Sequence, residues 1–188
     1  MKKKKGYTLV EIMIAMVVLV LGLIPLVKLI GDSLVATSDL GSRSVATELT
    51  QDLMEEIKQR KWDERAGANG LTAAGDRSAI GLDGGGETAA DPSGKTTFDD
   101  IDDYHILRPI AEGGTGGERP PRDAANIAMP QYSKFTRSVR VRYMRYDAPT
   151  QTFLVDAGPT DYKQIEVTVS WSSGGGKGRS VVHSTIMS

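Results

Sequence analysis

The sequence predicts an α+β fold: one long N-terminal helix followed by an antiparallel sheet of about four strands that packs against it. Three observations carry that prediction. Residues 12–27 contain no ionisable side chain, an apolar run too long for a strand and right for a helix. Val45, Leu49, Leu53 and Ile57 then recur at spacing four, flanked by Ala46 and Met54, which makes one stripe of an amphipathic helix. In the last third of the chain, apolar and polar residues alternate over 139–144 and 165–171, the period of strands with one face buried. Helix first and sheet last is a two-layer α+β order.

The N-terminal element is the most specific. Lys2, Lys3, Lys4 and Lys5 precede Gly6, and the apolar run starts at Tyr7 and extends to Ile30. Those 24 residues compare with about 20 for a helix that spans a bilayer. Glu11 and Lys28 are the only charges within it. The lysine cluster is expected on the cytoplasmic side, which sends the rest of the chain outward. A cleaved secretory signal would need a shorter apolar core and a small-x-small site after it, and Leu34-Val35-Ala36 supplies a poor one. Pro25 lacks an N–H and is expected to kink the helix, with Gly22, Gly31 and Gly41 as further soft points.

Glu11 is the anomaly, since a carboxylate in an apolar span is costly and usually finds a partner. Lys4-Lys5-Gly6 followed by Tyr7-Thr8-Leu9-Val10-Glu11 closely resembles the class III signal of type IV pilins and type II secretion pseudopilins. The resemblance implies cleavage by a prepilin peptidase after Gly6, N-methylation of Tyr7, and pairing of Glu11 with the terminal amine of a neighbouring subunit. The family usually has Phe where this chain has Tyr7. Pro25 also fits the pilin pattern. The chain then divides into a leader over 1–6, a membrane and filament-core helix over 7–30, an amphipathic helix over 31–62, and an outward globular domain with Gly-rich loops over 63–188. At 1.5 Å per residue the helix from Tyr7 to Trp62 would be about 80 Å long.

Composition narrows the functional classes. The chain has 188 residues, 21 of them glycine, and a formal net charge of −1. Loss of residues 1–6 leaves 19 basic against 24 acidic side chains, a net charge of −5, which gives no global attraction for nucleic acid. Arg137, Arg140, Arg142 and Arg145 lie near Tyr143 and Tyr146, but alternation divides them between two faces. A salt-bridged sheet face, of the kind that guards exposed strands, is the expectation, and nucleic acid is not an expected partner. There is no cysteine, hence no disulfide framework and no thiol chemistry. His105 and His183 lack any nucleophile or metal-ligand spacing around them, so no catalytic residue is assigned and the chain reads as a non-enzyme.

Residues 63–95 lose all periodicity and read as a long Gly-rich loop anchored by Leu71, Ile80 and Leu82. Gly84-Gly85-Gly86 has no following Lys-Ser/Thr pair and is not a phosphate loop. Asp99, Asp100, Asp102 and Asp103 put four carboxylates within five residues, a set that oxygen-seeking calcium would suit. The spacing lacks the glycine and distal glutamate of an EF-hand. The competing expectation is a turn in which Asp side chains hold backbone N–H groups while Phe98, Ile101 and Tyr104 point inward. Phe98 to His105 also resembles a motif of some minor pilins near mannose-sensitive haemagglutinin pili.

The resulting expectation is a minor pilin, resembling pilus modification protein V or a mannose-sensitive haemagglutinin minor pilin. It would be a single-pass precursor in the bacterial inner membrane that joins other pilins in a filament. A type II secretion minor pseudopilin is the alternative within the family, and the long loops with the acidic stretch favour the pilus. A bitopic inner-membrane protein with a ligand- or calcium-binding periplasmic domain is the alternative outside it.

Overall fold

The computed structural model describes residues 8–63, 80, 81, 95, 97–173, 176 and 178–188. The anchors expected at Leu71 and Leu82, and Gly84-Gly85-Gly86, lie outside the described residues. Helix α1 spans Leu9–Lys58, and strands β1 Phe135–Asp147, β2 Thr152–Val155, β3 Tyr162–Ser172 and β4 Gly178–Met187 form one antiparallel sheet in the order β2-β1-β3-β4. The α+β order expected from the sequence is the order observed. The chain forms two compact units, residues 1–42 and residues 43–188.

In the first unit α1 is helical throughout, Pro25 included, so the proline removes one backbone donor without ending the helix. Every residue from Thr8 to Ser38 is exposed.

The second unit begins within α1. Ala46, Leu49, Leu53, Met54 and Ile57 are buried, the stripe expected from spacing four. Leu53, Met54 and Ile57 meet Val139 and Val141 of β1 and Ile165 and Val167 of β3. Ala46 and Leu49 meet Phe135, Val169 and Trp171. Fully burying one such side chain contributes about 1.5–3 kcal/mol. The helix stops at Lys58, short of the expected Trp62. Arg60 N–H reaches back to Ile57 O in a turn, and the backbone of Lys61 pairs with that of Asp99 and Ile101, which diverts the chain into the acidic segment.

The sheet's inner face follows alternation, broken in β1 only where Met144 is buried next to Tyr143. Phe135, Val139, Val141 and Tyr143 of β1 are buried, as are Ile165, Val167, Val169 and Trp171 of β3. β2 is a short edge strand, fully exposed, whose Phe153 ring lies between Tyr146 and Tyr162 at centroid distances of 5.3 and 5.0 Å. Gly117 secures the covering of β1. Its φ is +88°, and a Cβ there would stand 2.2 Å from Arg137 O, so only glycine lets Glu118 exchange two backbone hydrogen bonds with Arg137. Among the other expected anchors, Ile80 packs on the main core.

Candidate functional site

The first unit presents one apolar surface. Leu9, Val10, Ile12, Met13 and the succeeding large side chains as far as Leu40 are exposed, an area far beyond what a soluble monomer leaves uncovered. Among the described residues, α1 is the one helix long and apolar enough to cross a membrane.

Glu11 stands at the start of this surface and is already engaged. Thr8 N–H donates to Glu11 Oε2 at 3.0 Å, Thr8 Oγ1 donates to the same oxygen at 3.2 Å, and Glu11 N–H donates to Thr8 Oγ1 at 3.3 Å. Thr8 precedes the first helical residue and Glu11 is the third helical residue, so the pair is a reciprocal capping box. Sequence reasoning assigned Glu11 to a neighbour's amine and overlooked this local partner, although the Thr-x-x-Glu spacing was there to be read. A carboxylate at this end of the helix also faces the positive pole of the helix dipole. Gly6 and Tyr7 lie outside the described residues. Pro25 sits mid-helix among exposed apolar neighbours.

Residues 1–27 match the family model of the prokaryotic N-terminal methylation motif. The chain's N-terminus carries that motif. It covers Gly6, Tyr7, Glu11 and Pro25 and stops well before the sheet. No curated protein and no solved structure matches the chain.

The acidic segment is a capped turn. Asp103 Oδ2 accepts from the N–H groups of Asp99 and Asp100 at 2.9 and 3.2 Å, and Asp100 Oδ1 accepts from Asp102 and Asp103 at 2.9 and 3.2 Å. Phe98, Ile101 and Tyr104 are buried, as expected. The Tyr104 hydroxyl donates to Glu56 at 2.7 Å; burial and the neighbouring carboxylate raise its pKa. The four carboxylates do not converge. Asp99 turns out to Lys61 at 3.2 Å, whereas Asp102 turns in to Lys163 at 2.5 Å. Among the described residues no group of three or more His, Cys, Asp or Glu is arranged to hold a metal. The turn reading of Asp99, Asp100, Asp102 and Asp103 is the one the geometry favours over calcium, since one oxygen of each carboxylate serves a backbone donor or a lysine and the side chains point apart.

Three buried cations, Lys95 and two that sit on strands, were missed from sequence. Arg137 is 1% exposed and pairs with Glu118 at 2.6 Å, while Lys95 bridges Glu56 and Glu118 at 2.8 and 3.4 Å. Lys163 is fully buried between Asp102 and Asp63. Burial pushes the Asp102 carboxyl up, to about 7, against the pull of Lys163. Strand parity held the signal for both: Arg137 is in phase with Phe135 and Val139, and Lys163 with Ile165 and Val167.

Arg140 and Arg142 form the expected salt-bridged face, and Arg145, of the opposite strand parity, pairs near the end of β1. Arg140 binds Glu112 and, at 2.5 Å, Glu166; Arg142 binds Glu166 at 3.2 Å; Arg145 binds Asp156 at 3.4 Å. The hydrogen bonds from Arg140 hold the Glu112 carboxyl below its usual range. A hollow of about 340 Å³ beside β1 is lined by His105, Val141, Arg142, Tyr143 and Asp156, and its ionisable groups are committed to partners within the fold. His105 Nδ1 accepts from Val141 N–H at 3.0 Å. Burial and then Arg108 lower its pKa to about 4, so near neutrality it is an uncharged acceptor that completes the edge of β1. His183 stands opposite Val167 on β4.

Proposed function

We infer that the chain is a minor pilin, a structural subunit of a type IV pilus without enzymatic activity. The observation that carries this reading is the N-terminal methylation motif at residues 1–27, running directly into a helix whose apolar side chains from Leu9 to Val35 are all exposed. In this reading Lys2–Lys5 stay in the cytoplasm, the helix anchors the precursor in the inner membrane, and the domain from Arg43 onward faces outward. A prepilin peptidase cleaves after Gly6, and the new amine on Tyr7 is methylated. The apolar surface then exchanges lipid for the helices of other pilins.

Glu11 determines register in that exchange. In the free subunit its charge is held by Thr8; inside a filament core, an uncompensated carboxylate would be strongly destabilising. Pairing with the methylated amine of a neighbour compensates it at one axial position only. Glu11→Ala is expected to insert in the membrane as the wild type does and to be absent from sheared filaments. Normal incorporation of that variant would overturn the role of Glu11.

The same features suit a minor pseudopilin of type II secretion, and the methylation motif is common to both. Deleting the chain separates them, because a pilin is needed for piliation and a pseudopilin for secretion. A bitopic protein with a ligand-binding outer domain would instead keep Lys2–Lys5 in its mature form.

A further inference from the structure

Beneath the sheet, and apart from the assembly helix, three ionisable side chains meet in a sealed space. Lys163, Asp102 and Asp63 are each fully inaccessible to solvent. Lys163 Nζ stands 2.5 Å from Asp102 Oδ1 and 3.6 Å from Asp63 Oδ2. It also donates to Trp62 O at 2.7 Å. The rings of Trp62 and Tyr143 enclose the amine, with their centroids 5.1 and 5.4 Å away. Asp102 Oδ2 is buried and accepts no hydrogen bond. A plain ion pair at this depth is a poor arrangement, since desolvation of two ions costs several kcal/mol each and pairing only partly offsets it.

We propose that Lys163 and Asp102 condense into an intramolecular amide, an isopeptide bond between Nζ and Cγ, with Asp63 as the proton relay. Lys163 first gives one proton to Asp102, which leaves a neutral amine beside a neutral carboxyl. The amine lone pair attacks Asp102 Cγ, and a second N–H proton passes to Asp63. Asp63 returns that proton to the departing oxygen of Asp102, the C–O bond breaks, and water leaves. One C–N bond replaces one C–O bond, two charges vanish, and no oxidant or cofactor is consumed. Asp63 ends as it began.

The environment favours each stage. Burial holds the Asp102 carboxyl up, to about 7, so the proton it must gain is already accessible near neutrality. Fixed contact replaces a bimolecular encounter, an advantage that reaches an effective ~10⁵–10⁸ M in well-oriented systems. Exclusion of water both removes the competing solvation of the ions and disfavours hydrolysis of the product. The bond would join the capped acidic turn to a central strand across 61 positions of sequence. Force on the folded unit would then pass from the turn to β3 without loading β1 or β2, a useful property in a subunit pulled from a membrane.

The test is mass spectrometry of the full-length protein, purified in detergent, denatured and digested with trypsin. The expected product is one branched peptide that joins the Asp102 and Lys163 segments, lighter than their sum by one water, with no cleavage after Lys163. Lys163→Met should restore the mass of that water to the intact chain, after allowing for the substitution, and Asp63→Ala should accumulate the unlinked form. Linear peptides with Asp102 and Lys163 both unmodified in the wild type would overturn the proposal and leave a buried ion pair. Complete linkage in Asp63→Ala would overturn the relay.

Discussion

Arg137 carries a full charge on the core face of β1, where Glu118 and Arg122 O receive it. Arg137→Met keeps the bulk and removes the charge, leaving Glu118 with Lys95 at 3.4 Å and the backbone N–H of Arg122. Because these partners remain, the loss of stability should fall toward the lower end of the ~3–5 kcal/mol typical of a broken buried pair. Urea unfolding followed through Trp62 and Trp171 fluorescence measures it. His105 makes a prediction with a sign. Its folded pKa, about 4, lies below the ordinary 6.5, so the unfolded chain binds the extra proton. The contribution of His105 is therefore complete above pH 6.5 and is lost as pH falls toward 4. Partial exposure keeps the slope below the ~1.4 kcal/mol per pH unit limit. A free Asp102 carboxyl would shift the opposite way, so the reading is the difference between wild type and His105→Phe. That difference should shrink as pH falls from 6.5 to 4, and a constant difference would contradict the assignment. These side chains were only partly legible in the sequence. Lys163 and Arg137 stand in phase with valines and isoleucines, a signal the sequence reading left unused, and the acids that compensate them come from segments far away in sequence. No periodicity links Glu118 to Arg137 or Asp102 to Lys163.

At the scale of elements, spacing carried most of the information. The stripe from Ala46 to Ile57 and the alternation in β1 and β3 both name their buried faces, because each element must hide one face and the sheet has a period of two. Loops were harder. The segment around Glu118 is held by backbone geometry at Gly117, and Gly117→Ala should break its pairing with β1, because the added methyl would meet Arg137 O at 2.2 Å. Loss of amide protection at Arg137 in hydrogen exchange would report it, with retained protection as the contrary result. The N-terminus of α1 separates capping from assembly. Thr8→Ala removes the cap oxygen, for about 1 kcal/mol of local helix stability, yet leaves the carboxylate available to a neighbour. It should still enter filaments, whereas Glu11→Ala should not. Equal loss in both variants would assign Glu11 to its own helix end.

At the scale of the whole molecule, the two units answer to different surroundings. Residues 43–188 bury their own core, and among the described residues charges such as Arg137 and Lys163 are held in internal pairs. Residues 8–38 bury nothing of their own and need lipid or other helices. Core substitution should reflect this division: Leu53→Ala is expected to cost about 2–5 kcal/mol of domain stability, and Leu19→Ala to leave it unchanged in detergent. In the proposed function, membrane precursor and filament subunit are successive states of the same apolar helix, and removal of the lysine leader marks the passage between them. That step is the central claim, and the N-terminal peptide of the protein recovered from sheared filaments tests it directly. The account predicts a peptide that begins at N-methylated Tyr7. A filament-bound chain that retained Lys2–Lys5 would contradict it.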